Sequence, residues 1–217
     1  MQLNNIVINT LITLLLAASQ AQAGEIVDDT RQAIKLDYAA GVLEGLQRGL
    51  DINFVDDNGD SLLMLAAQEG STRSTAILLN AGAKTFFRNA FGDDALLLAT
   101  FWGHVEIVDM LLAKRANLGA NPRGWTPLHY AAYAGHAHLA QKFLALGAQT
   151  NSATDNGLTA LMLASKNGHI DVVRILLMHK ADVTLRDENK LSAVDHALAS
   201  NNSDIASLLL QPPALLK

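Results

Sequence analysis

Two kinds of apolar run alternate along most of the chain. The first is short and rich in small residues, with the pairs Ala66-Ala67, Ala99-Thr100, Ala131-Ala132 and Ala164-Ser165 at its centre. The second carries apolar residues three and four apart: Ile107, Val108, Leu111 and Leu112; Leu139, Phe143 and Leu144; Val172, Val173, Leu176 and Leu177. That spacing marks one face of an α-helix. Small side chains in the first run let neighbouring helices approach closely. The pattern predicts helix pairs joined by a tight turn and separated by polar loops.

The pairs repeat. Gly59, Gly92, Gly124 and Gly157 are separated by 33, 32 and 33 residues, and Lys190 stands 33 further on. A second marker follows each by eleven, at Gly70, Gly103, Gly135, Gly168 and Asn201. A third is the alanine at 83, 116, 148 and 181. A period of this size indicates stacked repeats. Two residues after the first marker stand Ser61, Asp94, Thr126, Thr159 and Ser192, all good N-cap residues. Pro127 then occupies the first helical position, where its missing N–H costs nothing. The second marker is Gly or Asn, which tolerate the left-handed backbone that ends a helix. Arg115 and Lys180 stand where Gly82 and Gly147 stand in other units. A left-handed backbone at either costs on the order of 1 kcal/mol. The missing residue of the 32-residue spacing is expected in the loop between Ala116 and Gly124.

The segment "GWTPLHYAAYAGH" (124–136) resembles the ankyrin repeat hallmark almost letter for letter, and "GLTALMLASKNGHIDVVRILLMHKAD" (157–182) is close to it. The units at 59 and 92 are looser. The resemblance implies an all-α solenoid of stacked helix-turn-helix units with projecting hairpin loops. Its expected divisions are a capping repeat at 24–58, full repeats at 59–91, 92–123, 124–156 and 157–189, and a C-terminal capping repeat with tail at 190–217. Within the first, the segment 33–53 keeps the second helix and a Gly49-Leu50-Asp51 echo of the third marker. A terminal unit is expected to need one polar face.

Residues 1–23 read as a signal peptide. An apolar stretch, 6–18, leads to Ala21-Gln22-Ala23, which suits cleavage after Ala23. The leading MQLNN departs from the pattern in having no Lys or Arg, and an uncleaved anchor is the alternative. Export, to the periplasm in a Gram-negative host, is the expectation, with no stable membrane anchor after cleavage. The chain has no cysteine, which excludes disulfides, zinc fingers and thiol nucleophiles. A net charge of −5 disfavours nucleic acid as a partner.

The resemblance implies a non-catalytic protein-binding module, working through its concave face and hairpin tips, with no cofactor and no metal. The variable positions flank the first marker and follow the small pair. Eight of the chain's 11 aromatic residues lie between Phe86 and Tyr133, which concentrates them at those positions. Aromatic residues and Arg anchor protein interfaces. Phe91, Phe101, Trp102, Arg123, Trp125 and Tyr133 are therefore the expected partner-binding residues. Tyr130 stands where the scaffold takes an apolar residue and is expected in the core. Phe86 and Phe87 suit packing of hairpin on hairpin. His104, His129, His136 and His169 occupy scaffold positions, His136 and His138 lie two apart on a helix, and His179 and His196 are isolated. Asp195-His196 with a serine suggests a hydrolytic triad, without any nucleophile-elbow motif.

Three classes of function follow. The first is an exported binding protein, supporting a periplasmic stress-defence enzyme or, alternatively, neutralising a delivered toxin as an immunity protein. The second is an enzyme with a metal or Ser-based site. The third is a self-associating stack.

Overall fold

The protein is described by a computed structural model, in which residues 22–210 are placed. Residues 22–35 are helical (α1), followed by α2 (Ala39–Gln47), α3 (Leu62–Glu69), α4 (Thr72–Asn80), α5 (Ala95–Trp102), α6 (Val105–Ala113), α7 (Pro127–Ala134), α8 (Ala137–Ala145), α9 (Ala160–Asn167), α10 (Ile170–Met178), α11 (Ala193–Ala199) and α12 (Ser203–Leu209). The fold is all-helical and built of repeats. Two loop necks, Val55 with Ser61 and Ala153 with Thr159, close as single antiparallel bridges. The apolar stretch 6–18 lies outside the described residues. The helix is continuous from residue 22 across the expected cleavage point.

The chain divides into two compact units, the first ending at Lys84 and the second beginning at Thr85. In the second unit α5, α7, α9 and α11 pack side by side in chain order, and each packs on the helix that follows it. The core between them is apolar, with Leu96, Leu97, Leu128, Leu139, Phe143 and Leu176 fully buried. In the first unit α4 packs on both α2 and α3.

The first two sequence markers, and the residue just before the third, adopt a left-handed backbone. Gly59, Gly92, Gly124, Gly157 and Lys190 have φ between 63 and 83°. The turn residues Gly70, Gly103, Gly135, Gly168 and Asn201 lie between 60 and 79°, and the Gly82, Arg115, Gly147 and Lys180 series between 60 and 91°. Arg115 and Lys180 thus adopt the left-handed backbone despite their side chains. The five N-cap side chains each accept a helix amide. Because α6 ends at Ala113 and α7 begins at Pro127, the residue missing from the 32-residue spacing falls in a loop, where no packing register is lost.

One expectation needs correction at the N-terminal end. The segment before residue 58 supplies both helices of a unit, not the second alone, and Asp37, 33 residues before Gly70, has φ 48° in the turn between them. Its carboxylate accepts the Ser74 and Arg73 amides at 2.8 and 3.2 Å and so caps α4. In or beside the terminal helices, Leu36, Tyr38, Leu198 and Leu210 are all more than half exposed.

A latch joins successive repeats. The residue after four of the turn markers reaches back to the end of the first helix of the preceding repeat. Ser71 Oγ donates to the Ile34 carbonyl (2.5 Å), His136 Nε2 to Phe101 (2.9 Å), His169 Nε2 to Tyr133 (3.0 Å) and Asn202 Nδ2 to Ser165 and Lys166 (2.9 and 3.0 Å). Glycine at the preceding turn makes room for the rings. A Cβ on Gly135 would stand 2.6 Å from the His169 ring, and one on Gly103 2.6 Å from that of His136.

Candidate functional site: an aromatic bowl on the second unit

The loops are held by a residue three places before the first marker. Its side chain turns back to accept amides of its own loop: Asp56 from Asn58 and Asp60, Asn89 from Phe91 and Asp93, Asn121 from Arg123 and Trp125, Thr154 from Leu158, and Asp187 from Leu191. Such side-chain turns fix the loop without help from neighbours. Asn121 therefore sets where Arg123 and Trp125 project. Its Nδ2 also donates to Asp93 Oδ1 of the preceding loop (2.8 Å), which ties the two loops together.

Between these loops and the helices α5 and α7 lies an open bowl of about 300 Å³, lined by Phe101, Asn121, Arg123, Trp125, Tyr130 and Tyr133. Four rings meet in a closed circuit. Phe101 contacts Tyr130 edge-on (6.0 Å) and Tyr133 stacked (6.1 Å), and Trp125 contacts the same two tyrosines at 5.1 and 5.8 Å. These spacings and tilts are the favourable ones for aromatic pairs. Trp102 adds an edge-on contact to Phe101 (5.3 Å), and the Arg123 guanidinium lies 5.9 Å from the Phe91 ring centre. All six residues expected to bind a partner therefore fall into one contiguous patch. Phe91, Trp102 and Tyr133 are 62, 53 and 42 % exposed, so much of its apolar area faces solvent.

Tyr130 departs from its expected place in the core. It lies half-buried in the bowl, and its hydroxyl donates to Asp93 Oδ1 at 2.7 Å. Burial, and then the bond to the Asp93 carboxylate, push its phenol well above the ordinary value. Trp125 packs the bowl wall through its contacts to Tyr130, Tyr133 and His129. Phe86 and Phe87 pair with each other at 5.5 Å, and Phe86 is 68 % exposed.

The first unit holds a bowl at the same repeat positions. It measures about 200 Å³, and its lining includes Lys35, Asp56, Asn58, Asp60, Leu65 and Gln68. Those six stand two repeats before Phe101, Asn121, Arg123, Trp125, Tyr130 and Tyr133 respectively. Arg31, also in its wall, pairs with Asp56 at 3.1 Å.

His129, His136, His169, His179 and His196 bond to groups of the scaffold. His129 is fully buried; its Nδ1 accepts from the Thr126 amide and hydroxyl, and its Nε2 donates to the Ser152 carbonyl at 3.0 Å. That arrangement requires a neutral ring, and burial lowers its pKa to about 4. His138 is exposed on α8, while His136 serves the latch, so the two do not converge. His179 bonds the Ile175 carbonyl. His196 donates to Asp187 Oδ2 (2.9 Å), not to Asp195. Burial alone would raise the Asp187 carboxyl, but the Leu191 amide and the His196 ring outweigh it and hold it below the ordinary range. Ser192 Oγ donates to Asp195, its capping partner, which ties that hydroxyl to the start of α11. Among the described residues no cluster of His, Asp or Glu could hold a metal ion. None of their helices is long and apolar enough to cross a membrane.

This is a helical-repeat binding scaffold, with its side-chain variety confined to one face of loops and first helices. The family profile for ankyrin repeats in its three-copy form matches residues 31–122, 63–153, 116–187 and 138–215, and the chain belongs to the ankyrin repeat family. Ankyrin repeats make it a protein–protein interaction module. The chain is 34 % identical over 102 residues to a "Transient receptor potential cation channel subfamily A member 1 homolog" of Caenorhabditis elegans, covering 47 % of this chain and 8 % of that one. It is 39 % identical over 88 residues to the "E3 ubiquitin-protein ligase XBAT33" of Arabidopsis thaliana (40 % and 17 %), and 34 % identical over 107 residues to the "DNA replication inhibitor plutonium" of Drosophila melanogaster (49 % and 60 %). Proteins named for such different tasks share the repeat, so the repeat alone does not assign one.

Proposed function

We propose that the protein is an exported, non-catalytic binding module that grips a protein partner through the aromatic patch of its second unit and supports an enzyme of the periplasm. The exposed aromatic patch carries this reading. Burying Phe91, Trp102 and Tyr133 against a partner removes large apolar area from water, and such residues dominate interface energetics. The repeat scaffold does not need them there, since the same positions elsewhere hold Asn58, Glu69 and Lys166. The apolar stretch 6–18 and the small-residue triplet ending at Ala23 support export.

The test uses protein purified from the host's exported fraction. Phe91→Ala with Trp102→Ala is expected to abolish capture of the partner while shifting the unfolding temperature by only about 2 °C, because both rings are largely exposed. Unchanged capture sinks the binding reading. Mass spectrometry of the same material is expected to find Gly24 as the first residue; an intact Met1 there overturns the cleavage point.

A further inference from the structure

The aromatic bowl of the second unit is unbalanced in its hydrogen bonding and in its charge. Among the described residues, the Trp125 indole N–H and the Tyr133 hydroxyl have no hydrogen-bond partner, and the Arg123 guanidinium has no carboxylate. Arg123 is the only ionised group in the bowl's lining. Asp93 lies behind it, with Oδ1 already accepting from Asn121 and Tyr130. Asp155 sits on the next loop, where its amide donates to the Arg123 carbonyl (3.1 Å), but its carboxylate does not pair with the guanidinium. In the bowl of the first unit a lining cation does meet a carboxylate. There a carboxylate, Asp56, occupies the loop-holding position and pairs with Arg31. In the second unit the same position is the neutral Asn121, and the exposed Arg123 makes no ion pair among the described residues.

We infer that the missing counter-charge comes from the partner: the bowl takes an extended protein segment in which a large apolar side chain neighbours an Asp or Glu. The apolar side chain fills the ring circuit. The carboxylate meets Arg123, whose planar fork suits it. Backbone carbonyls of the segment accept from the Trp125 indole and the Tyr133 hydroxyl. Aromatic faces also attract cations, but a cation here would sit beside Arg123 and be repelled. This inference rests on the proposed binding role of the patch and specifies the chemistry of what is bound.

Titration of the purified protein with capped tetrapeptides, followed by tryptophan fluorescence, tests it. Acetyl-Gly-Phe-Asp-Gly-amide is expected to bind about tenfold more tightly than its Phe-Asn counterpart, the scale of one charge-assisted hydrogen bond. The Phe-Lys counterpart is expected to bind most weakly. Arg123→Gln, an exposed substitution that leaves the helical circular dichroism unchanged, is expected to erase the difference between Asp and Asn. Tighter binding of the Phe-Lys peptide, an Asp preference that survives Arg123→Gln, or no binding of any peptide at about 10 mM overturns the inference. If Arg123→Gln leaves capture of the natural partner intact while Phe91→Ala with Trp102→Ala abolishes it, this inference falls and the binding role stands.

Discussion

The two bowls share a backbone and differ in what lines it. Asp60 and Trp125 occupy one repeat position, as do Gln68 and Tyr133, Leu65 and Tyr130, and Lys35 and Phe101. In both, a loop-holding side chain, Asp56 or Asn121, accepts two amides of its own loop. The scaffold therefore tolerates either lining, because its own demands fall on the marker glycines, the N-caps and the apolar core. What lines the bowl is not fixed by those demands. In the first unit the lining is mostly polar and includes the Arg31–Asp56 ion pair; in the second it is aromatic and has donors to spare.

The largest way to break this equivalence is to disturb the shared backbone. A Cβ on Gly124 would stand 2.8 Å from Thr154 Cα and 2.9 Å from the Asp155 nitrogen, at φ 78°. Gly124→Ala is expected to lower unfolding free energy by roughly 4 kcal/mol in chemical denaturation. Gly147→Ala, at φ 88° with open space around it, is expected to cost only about 1 kcal/mol.

The next difference is acid sensitivity. His129 holds the start of α7, where Met64 holds that of α3 with its thioether. With its pKa lowered to about 4 in the folded state, His129 binds a proton more readily when unfolded. Its contribution is complete above the ordinary histidine value of 6.5 and is lost as pH falls from there towards 4. The loss is on the order of 3 kcal/mol, measurable by denaturation across that range. His129→Met, which copies the first unit, is expected to flatten the profile.

A smaller effect separates loop from bowl. Asn121→Ala removes three hydrogen bonds and is expected to cost about 2 kcal/mol. It also frees Arg123 and Trp125 from their loop, so peptide binding weakens with it. The smallest effect is a gain. Arg115→Gly and Lys180→Gly restore the glycine that Gly82 and Gly147 supply elsewhere and are each expected to stabilise by about 0.5–1 kcal/mol in the same assay.

What was legible in the sequence follows the same division. The first two markers and the five N-caps could be read because each answers a local backbone requirement that few residue types meet. The loop-holding position recurs with the same period, but Asp56, Asn89, Asn121, Thr154 and Asp187 share a function and not a letter, so matching letters passed over it. Tyr130 was misplaced because its position holds Leu65, Leu98 and Leu163 in the other repeats. The bowl admits it because Phe101 and Trp125 stand on either side of it, and these come from different repeats. No single-repeat motif contains that circuit. The first helix of the opening unit was hidden in the same way, since Asp37 does the work of the turn glycine.

The latches all point one way. Ser71, His136, His169 and Asn202 each carry the donor, and the carbonyl that receives it belongs to the repeat made before. A ribosome delivers the acceptor first and the fastener afterwards, so a growing array never waits for chain still to be synthesised before it can close its last joint. Trimming repeats from the C-terminal end would leave behind carbonyls that water can satisfy, whereas trimming from the other end would strand side chains shaped to fit a neighbour no longer there.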